Sequence, residues 1–153
     1  MKDLVNTPTR RKEFKMSDDK NGKLPDMKLE LVPVPVTDVD RAKAFYERAG
    51  FNLNVDVRPN DSMRVVQFTP PGSACSIVFG TGMREISDMK PGSVRGIHLV
   101  VANIAAARDA LVERGIDVGK ITDFSGVFYA EFRDPDGNLW LLQQFPPEWK
   151  SPA

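Results

Sequence analysis

The stretch Phe132–Gln143, FRDPDGNLWLLQ, decides the fold. A short apolar-flanked segment runs into Pro-Asp-Gly-Asn, and a second apolar run leaves it. Pro135 fixes φ at the first corner and Gly137 tolerates φ > 0, so the pattern predicts a β-hairpin. A weaker version stands earlier, at Phe68–Gly80, FTPPGSACSIVFG. The two lie 65 residues apart, with Pro70 matching Pro135 and Gly72 matching Gly137.

Working outward, the same offset holds through everything that precedes each hairpin. LELVPVPV, from Leu29, alternates as a strand with Val32, Val34 and Val36 on one face and Leu31, Pro33 and Pro35 on the other. Its prolines cannot donate to a ladder, which predicts that this strand keeps that side of its backbone unpaired or lies at an edge. Thr37 or Asp38 caps a helix over DVDRAKAFYERA, whose apolar stripe is Val39, Ala42, Phe45 and Tyr46, and Gly50 ends it. Strands are expected at Asn52–Arg58, Met63–Thr69 and Ala74–Phe79. After an aperiodic linker, Thr81–Ser93, the pattern restarts in VRGIHLVVANIAAARDALVERGIDV. Val34 matches Leu99, Asp38 matches Asn103, Ala42 matches Ala107 and Gly50 matches Gly115. Strands at Asp117–Thr122, Val127–Arg133 and Leu139–Phe145 complete the second unit. The chain therefore reads as an internal duplication of a βαβββ module, at 28–80 and 94–146. The fold class is α+β. Each module has a sheet with a helix on one face, and the two bare faces line a concave, barrel-like eight-stranded cleft with the helices outside.

Three segments carry a family resemblance: VTDVDRAKAFY at Val36–Tyr46, GIHLVVANIAAA at Gly96–Ala107 and DPDGNLWLLQ at Asp134–Gln143. Together they resemble the vicinal oxygen chelate superfamily, which includes glyoxalase I, extradiol dioxygenases and the bleomycin and fosfomycin resistance proteins. The resemblance spans about Lys28 to Phe145. It implies a site on the concave sheet surface and, in the family's metalloenzymes, four His, Gln or Glu ligands, one per inward strand. Carried onto this chain, those positions are Leu31, Ser76, Gly96 and Leu141. None offers an imidazole or carboxylate, so no metal cofactor is expected, and an atypical divalent site stands as the alternative.

What remains for the cleft is organic recognition. His98, the one histidine, lies two residues beyond Gly96 and Gln143 two beyond Leu141, so strand parity puts both on the cleft face, either bonded to each other or orienting a ligand's polar group. His98 is also the candidate acid/base residue, because imidazole exchanges protons near neutral pH. Leu31, Ser76, Val78, Val100 and Leu141 are expected to line the cleft. Tyr129 and Phe128, beside Gly126, are candidates for stacking on a flat ligand, and Arg64 for a ligand carboxylate. Trp140 reads as core, and Asp134 and Asp136 as turn residues. Cys75 reads as a buried, inert thiol.

Lys+Arg and Asp+Glu balance at 21 each, so no net field favours nucleic acid or a membrane surface. One cysteine excludes an internal disulfide framework, and no apolar run reaches the ~20 residues of a membrane span. A cytoplasmic protein is expected. Residues 1–27 read as a flexible, polar extension, or as an arm anchored by Phe14 and Leu24, and 147–153 as a tail. The leading expectation is a metal-free, glyoxalase-like protein that binds a small, possibly aromatic, molecule. The alternative is a lyase, isomerase or dioxygenase-type enzyme. A third is an interaction module whose cleft its own tail fills. A homodimer is the assembly the resemblance favours, with the modules pairing within one chain or between two.

Overall fold

The computed structural model describes Gly22 and residues 24–149. In chain order the first module contains β1 (Leu31–Pro33), α1 (Val39–Arg48), β2 (Asn52–Asn60), β3 (Met63–Thr69) and β4 (Ser76–Thr81). A short helix, α2 (Arg84–Asp88), follows. The second module contains β5 (Arg95–Val100), α3 (Ile104–Glu113), β6 (Thr122–Phe124), β7 (Val127–Arg133) and β8 (Leu139–Gln144). The strands form two separate four-stranded sheets, ordered β1-β4-β3-β2 and β5-β8-β7-β6, rather than a closed barrel. In each, the first strand runs parallel to the fourth and the rest are antiparallel.

The caps explain why both long helices start where they do. Asp38, not Thr37, accepts a 3.0 Å hydrogen bond from the Arg41 N–H, and Asn103 accepts one of 3.0 Å from Ala106. Three elements differ from the sequence expectation. β1 is only three residues long, because Pro33 and Pro35 have no N–H, although Val34 still donates to the Val78 carbonyl. The strand expected at 117–122 reduces to one bridge, Val118 to Phe132, and β6 begins only at Thr122. Here the Arg108 guanidinium takes the carbonyls of Gly119 and Val118, fastening this segment to α3. The third is α2, inside a linker that shows no periodicity.

The core-facing sides of both sheets meet in one continuous core. Tyr46, fully buried on α1, touches Phe68 and Phe79 of the first sheet at 5.9 and 5.7 Å between ring centroids. It also touches Trp140 of the second at 5.8 Å, and Phe45 reaches Phe132 at 6.4 Å. Each such aromatic buries enough apolar area to contribute roughly 2 kcal/mol.

A polar clamp closes the seam. The Asp134 carboxylate accepts from the Tyr46 hydroxyl at 2.9 Å, from Asn138 Nδ2 at 2.8 Å and from the backbone N–H groups of Asp136 and Asn138. Trp140 Nε1 donates to the Tyr46 hydroxyl at 3.1 Å. Asn138 also donates to the Pro35 carbonyl, and Asp136 accepts from the backbone N–H of Thr37 and from Arg41. Burial, reinforced by the Asp134 charge, raises the Tyr46 ionisation well above the ordinary phenol range, so the hydroxyl stays a donor. The hairpin loop that reads as a mere turn thus joins the second module to the first.

Gly92 sits against that loop with φ +76°, where a Cβ would lie 2.1 Å from the Asp136 carbonyl oxygen. Gly72 has φ +75° but open space around it. Gly92→Ala is expected to cost about 3 kcal/mol by urea unfolding, and Gly72→Ala only about 1 kcal/mol, since both share the left-handed strain but only the first adds a clash.

Candidate functional site

Alternation along the second sheet sends Ala130, Phe132, Trp140 and Leu142 inward, where each is 2% exposed or less. Their neighbours Tyr129, Glu131, Leu141 and Gln143 therefore lie on the opposite, open face. β5 joins that face through a bulge. Arg95 stands beside Leu139 but Ile97 beside Trp140, and the extra residue is Gly96, at φ +128°. The bulge moves His98 beside Leu141 and Val100 beside Gln143. In the first sheet Leu31 stands beside Ser76, the repeat mate of Leu141. The structural counterpart of Leu31 is therefore His98 and not Gly96, which corrects the assignment made from the constant offset.

Three of the expected site residues come together on this face. The His98 and Tyr129 rings meet edge to face at 6.1 Å, and Gln143 Nε2 donates to the Tyr129 hydroxyl at 3.0 Å. His98 and Gln143 thus meet through Tyr129 rather than directly. His98 Nδ1 lies 3.0 Å from the Gly96 carbonyl oxygen. A carbonyl only accepts, so the proton belongs on Nδ1, and Nε2 is left as an acceptor directed away from the backbone. Val100 is 58% exposed on the same face.

Further exposed aromatic rings of the second module have no counterpart in the sequence reading. Phe124 pairs with Val127 across β6 and β7 and is 77% exposed. Phe145, next after β8, stacks with Trp149 at 5.6 Å and 13° between planes, and Trp149 is 63% exposed. The only hint in the sequence is the aromatic content just past the hairpin, at Phe145 and Trp149.

Other expected residues lie elsewhere. Phe128 points the other way along β7 and packs against the core, because it shares parity with Ala130 and Phe132. Arg64 is on the core side of the first sheet, 8% exposed. Its guanidinium forks onto Asp56 with two 3.0 Å bonds and reaches Asp40 on α1 at 2.7 Å, so it holds a helix to a sheet. Leu31, Ser76 and Val78 belong to the opposite face of the first sheet. Ser76 and Val78 are nearly inaccessible there, and the Ser76 hydroxyl is 2.6 Å from that of Thr69. Cys75 is half-buried in the loop before β4. Phe14 lies outside the described residues, and Leu24 is 77% exposed.

Arg64 makes a pH prediction. Its hydrogen bonds, with help from Lys43 and against the cost of burial, hold Asp56 at about 2, below its ordinary 3.8. A depressed carboxylate stabilises the fold above its unfolded value and loses that contribution as pH falls through the folded one. Stability should therefore decline between about pH 4 and pH 2, and Arg64→Met should flatten that limb in urea midpoints taken at pH 5, 3 and 2.

At the register positions where the metalloenzymes of the resembled family place ligands, this chain has Leu31, Ser76, His98 and Leu141. One imidazole and one hydroxyl do not make a divalent-metal site. Among the described residues no group of three His, Cys, Asp or Glu side chains is gathered for one. Nor is any helix long and apolar enough to cross a membrane.

Comparison with known proteins agrees with this geometry. Residues 28–142 match the family model described as Glyoxalase/Bleomycin resistance protein/Dioxygenase superfamily. Among solved structures, the chain is similar to TnmS3, an antibiotic binding protein from Streptomyces sp. CB03234, at 34% identity and TM-score 0.68, covering 80% of this chain and 98% of that one. A glyoxalase/bleomycin resistance protein from the same organism is 36% identical, with TM-score 0.64, over 76% of this chain and 100% of that one. A superfamily member from Sphaerobacter thermophilus DSM 20745 is 30% identical, with TM-score 0.67, over 78% and 98%. No curated protein matches it closely enough for comparison. The chain belongs to the glyoxalase/bleomycin resistance protein/dioxygenase superfamily.

Proposed function

We propose that the open face of the second sheet binds a flat, largely apolar organic molecule bearing one polar group. The observation that carries this reading is the His98–Tyr129–Gln143 cluster, on a sheet whose neighbouring strand β6 carries the exposed ring of Phe124. The rings supply stacking surface, and the imidazole Nε2 with the Gln143 amide supplies an acceptor and a donor for the polar group. That TnmS3 is an antibiotic binding protein supports sequestration as the purpose. The test is calorimetric titration with 2-naphthamide, whose amide complements both polar side chains. Micromolar binding that weakens in Gln143→Ala supports the reading, and binding unchanged by that substitution refutes it.

Recognition of this kind draws on no metal. Zn(II), Ni(II), Mn(II) or Fe(II) should leave the melting temperature within about 1 °C, whereas a site loaded at a hundred times its Kd would add about 2.7 kcal/mol and several degrees.

A second copy is proposed as the opposing wall. On the second sheet's open face Val100 is 58% exposed, which leaves that face accessible to another chain. Sedimentation velocity should show a dimer, and Val100→Lys, which places a charge on the open face, should shift it towards monomer.

A second reading is favoured by the His98 tautomer. With Nδ1 tied to Gly96, Nε2 is available as an acid/base atom, which suits a lyase or isomerase. Mass spectrometry after prolonged incubation separates the two. A binder returns its ligand unchanged, and a catalyst does not.

A further inference from the structure

The duplication has a mismatch at its seam. In α1 the stripe facing the second module is Ala42, Phe45, Tyr46 and Ala49, and its repeat mates in α3 are Ala107, Ala110, Leu111 and Arg114. Phe45 and Tyr46 fill their side of the seam against Phe132 and Trp140. On the mate side, Ala110 and Leu111 face the loop Pro70–Ser73 across unfilled space. The result is a half-open pocket of about 440 Å³, lined also by Phe51, Leu142, His98 and Val100. Apolar surface left open in a concave pocket favours the binding of an apolar molecule.

The polar groups at this cavity say what that is. Arg114 stands where α1 has Ala49, and its guanidinium lies 3.5 Å from where a Gly50 Cβ would be. Its Nη1 donates to the Arg48 carbonyl at 3.4 Å, a long bond, and among the described residues it enters no ion pair. Among the described residues no carboxylate lines the cavity. An aliphatic chamber with a guanidinium at one end is complementary to a molecule with an alkyl body and an anionic head. We infer that the seam pocket is a second ligand site, adjoining the sheet face at His98 and Val100, which takes a medium-chain carboxylate with its tail against Ala107, Ala110 and Leu111 and its carboxylate on Arg114.

The test uses octanoate and 1-octanol as probes in calorimetric titrations of the full chain. Octanoate should bind wild type at least about tenfold more tightly than 1-octanol. Arg114→Gln should erase that preference by weakening octanoate alone. Ala110→Phe, which installs the mate's side chain, should abolish octanoate binding and raise the melting temperature, while 2-naphthamide binding stays intact. Should Ala110→Phe fail to fold by circular dichroism, Ala107→Leu fills the same space more gently and should weaken octanoate at least about tenfold. The inference is overturned if wild type does not bind octanoate, if octanol binds equally well, or if a folded cavity-filling variant binds octanoate as wild type does.

Discussion

Asp134→Ala is expected to lower the unfolding free energy by about 4 kcal/mol, close to the whole stability of many domains this size. The carboxylate is 4% exposed and is the common acceptor for the Tyr46 hydroxyl, the Asn138 amide and two backbone N–H groups. Truncation strands all four donors where water cannot replace the acceptor, at roughly 1–3 kcal/mol for each that finds no new partner. Trp140 Nε1 keeps its acceptor but loses a fixed one, because the Tyr46 hydroxyl is then free to rotate. Asp134→Asn keeps one acceptor oxygen and should cost about half as much. Urea unfolding at neutral pH measures both. A loss under 1 kcal/mol for the alanine variant would mean that the seam is held by ring packing alone.

The second large effect is on binding. Tyr129→Ala should weaken 2-naphthamide roughly thirty-fold, about 2 kcal/mol, because Tyr129 supplies a ring face and fixes Gln143 through its hydroxyl. Tyr129→Phe keeps the ring, frees the Gln143 amide and should cost only about threefold. Since Tyr129 is half-buried on an open face, neither change should move stability by more than about 1 kcal/mol. Equal losses in the two variants would place the binding energy in the hydroxyl and not in the ring.

Much of this was legible because the duplication repeats local chemistry. Asp38 and Asn103 cap helices by the same bond, and both hairpins turn on Pro and Gly at matching offsets, so the elements and the faces of β1, β4, β5 and β8 follow from alternation. What escaped depends on contacts between elements far apart in sequence. The bulge at Gly96 shifts β5 against β8, and no local signal separates a bulge glycine from one in a regular strand. Arg64 reads as a candidate for a ligand carboxylate until α1 brings Asp40 to it and β2 brings Asp56. Ala110 reads simply as a good helix former, and the cavity it leaves is visible only beside its mate Phe45.

The open face around Tyr129 is the proposed seat of an organic ligand. The most direct test is the two-dimensional amide NMR spectrum of the full chain, recorded with and without 2-naphthamide. The largest shifts should fall on residues 96–100, 127–131 and 141–145, and Tyr129→Ala should suppress them. Shifts confined to the first sheet or to the α3 seam, with those three segments unmoved, would contradict that placement.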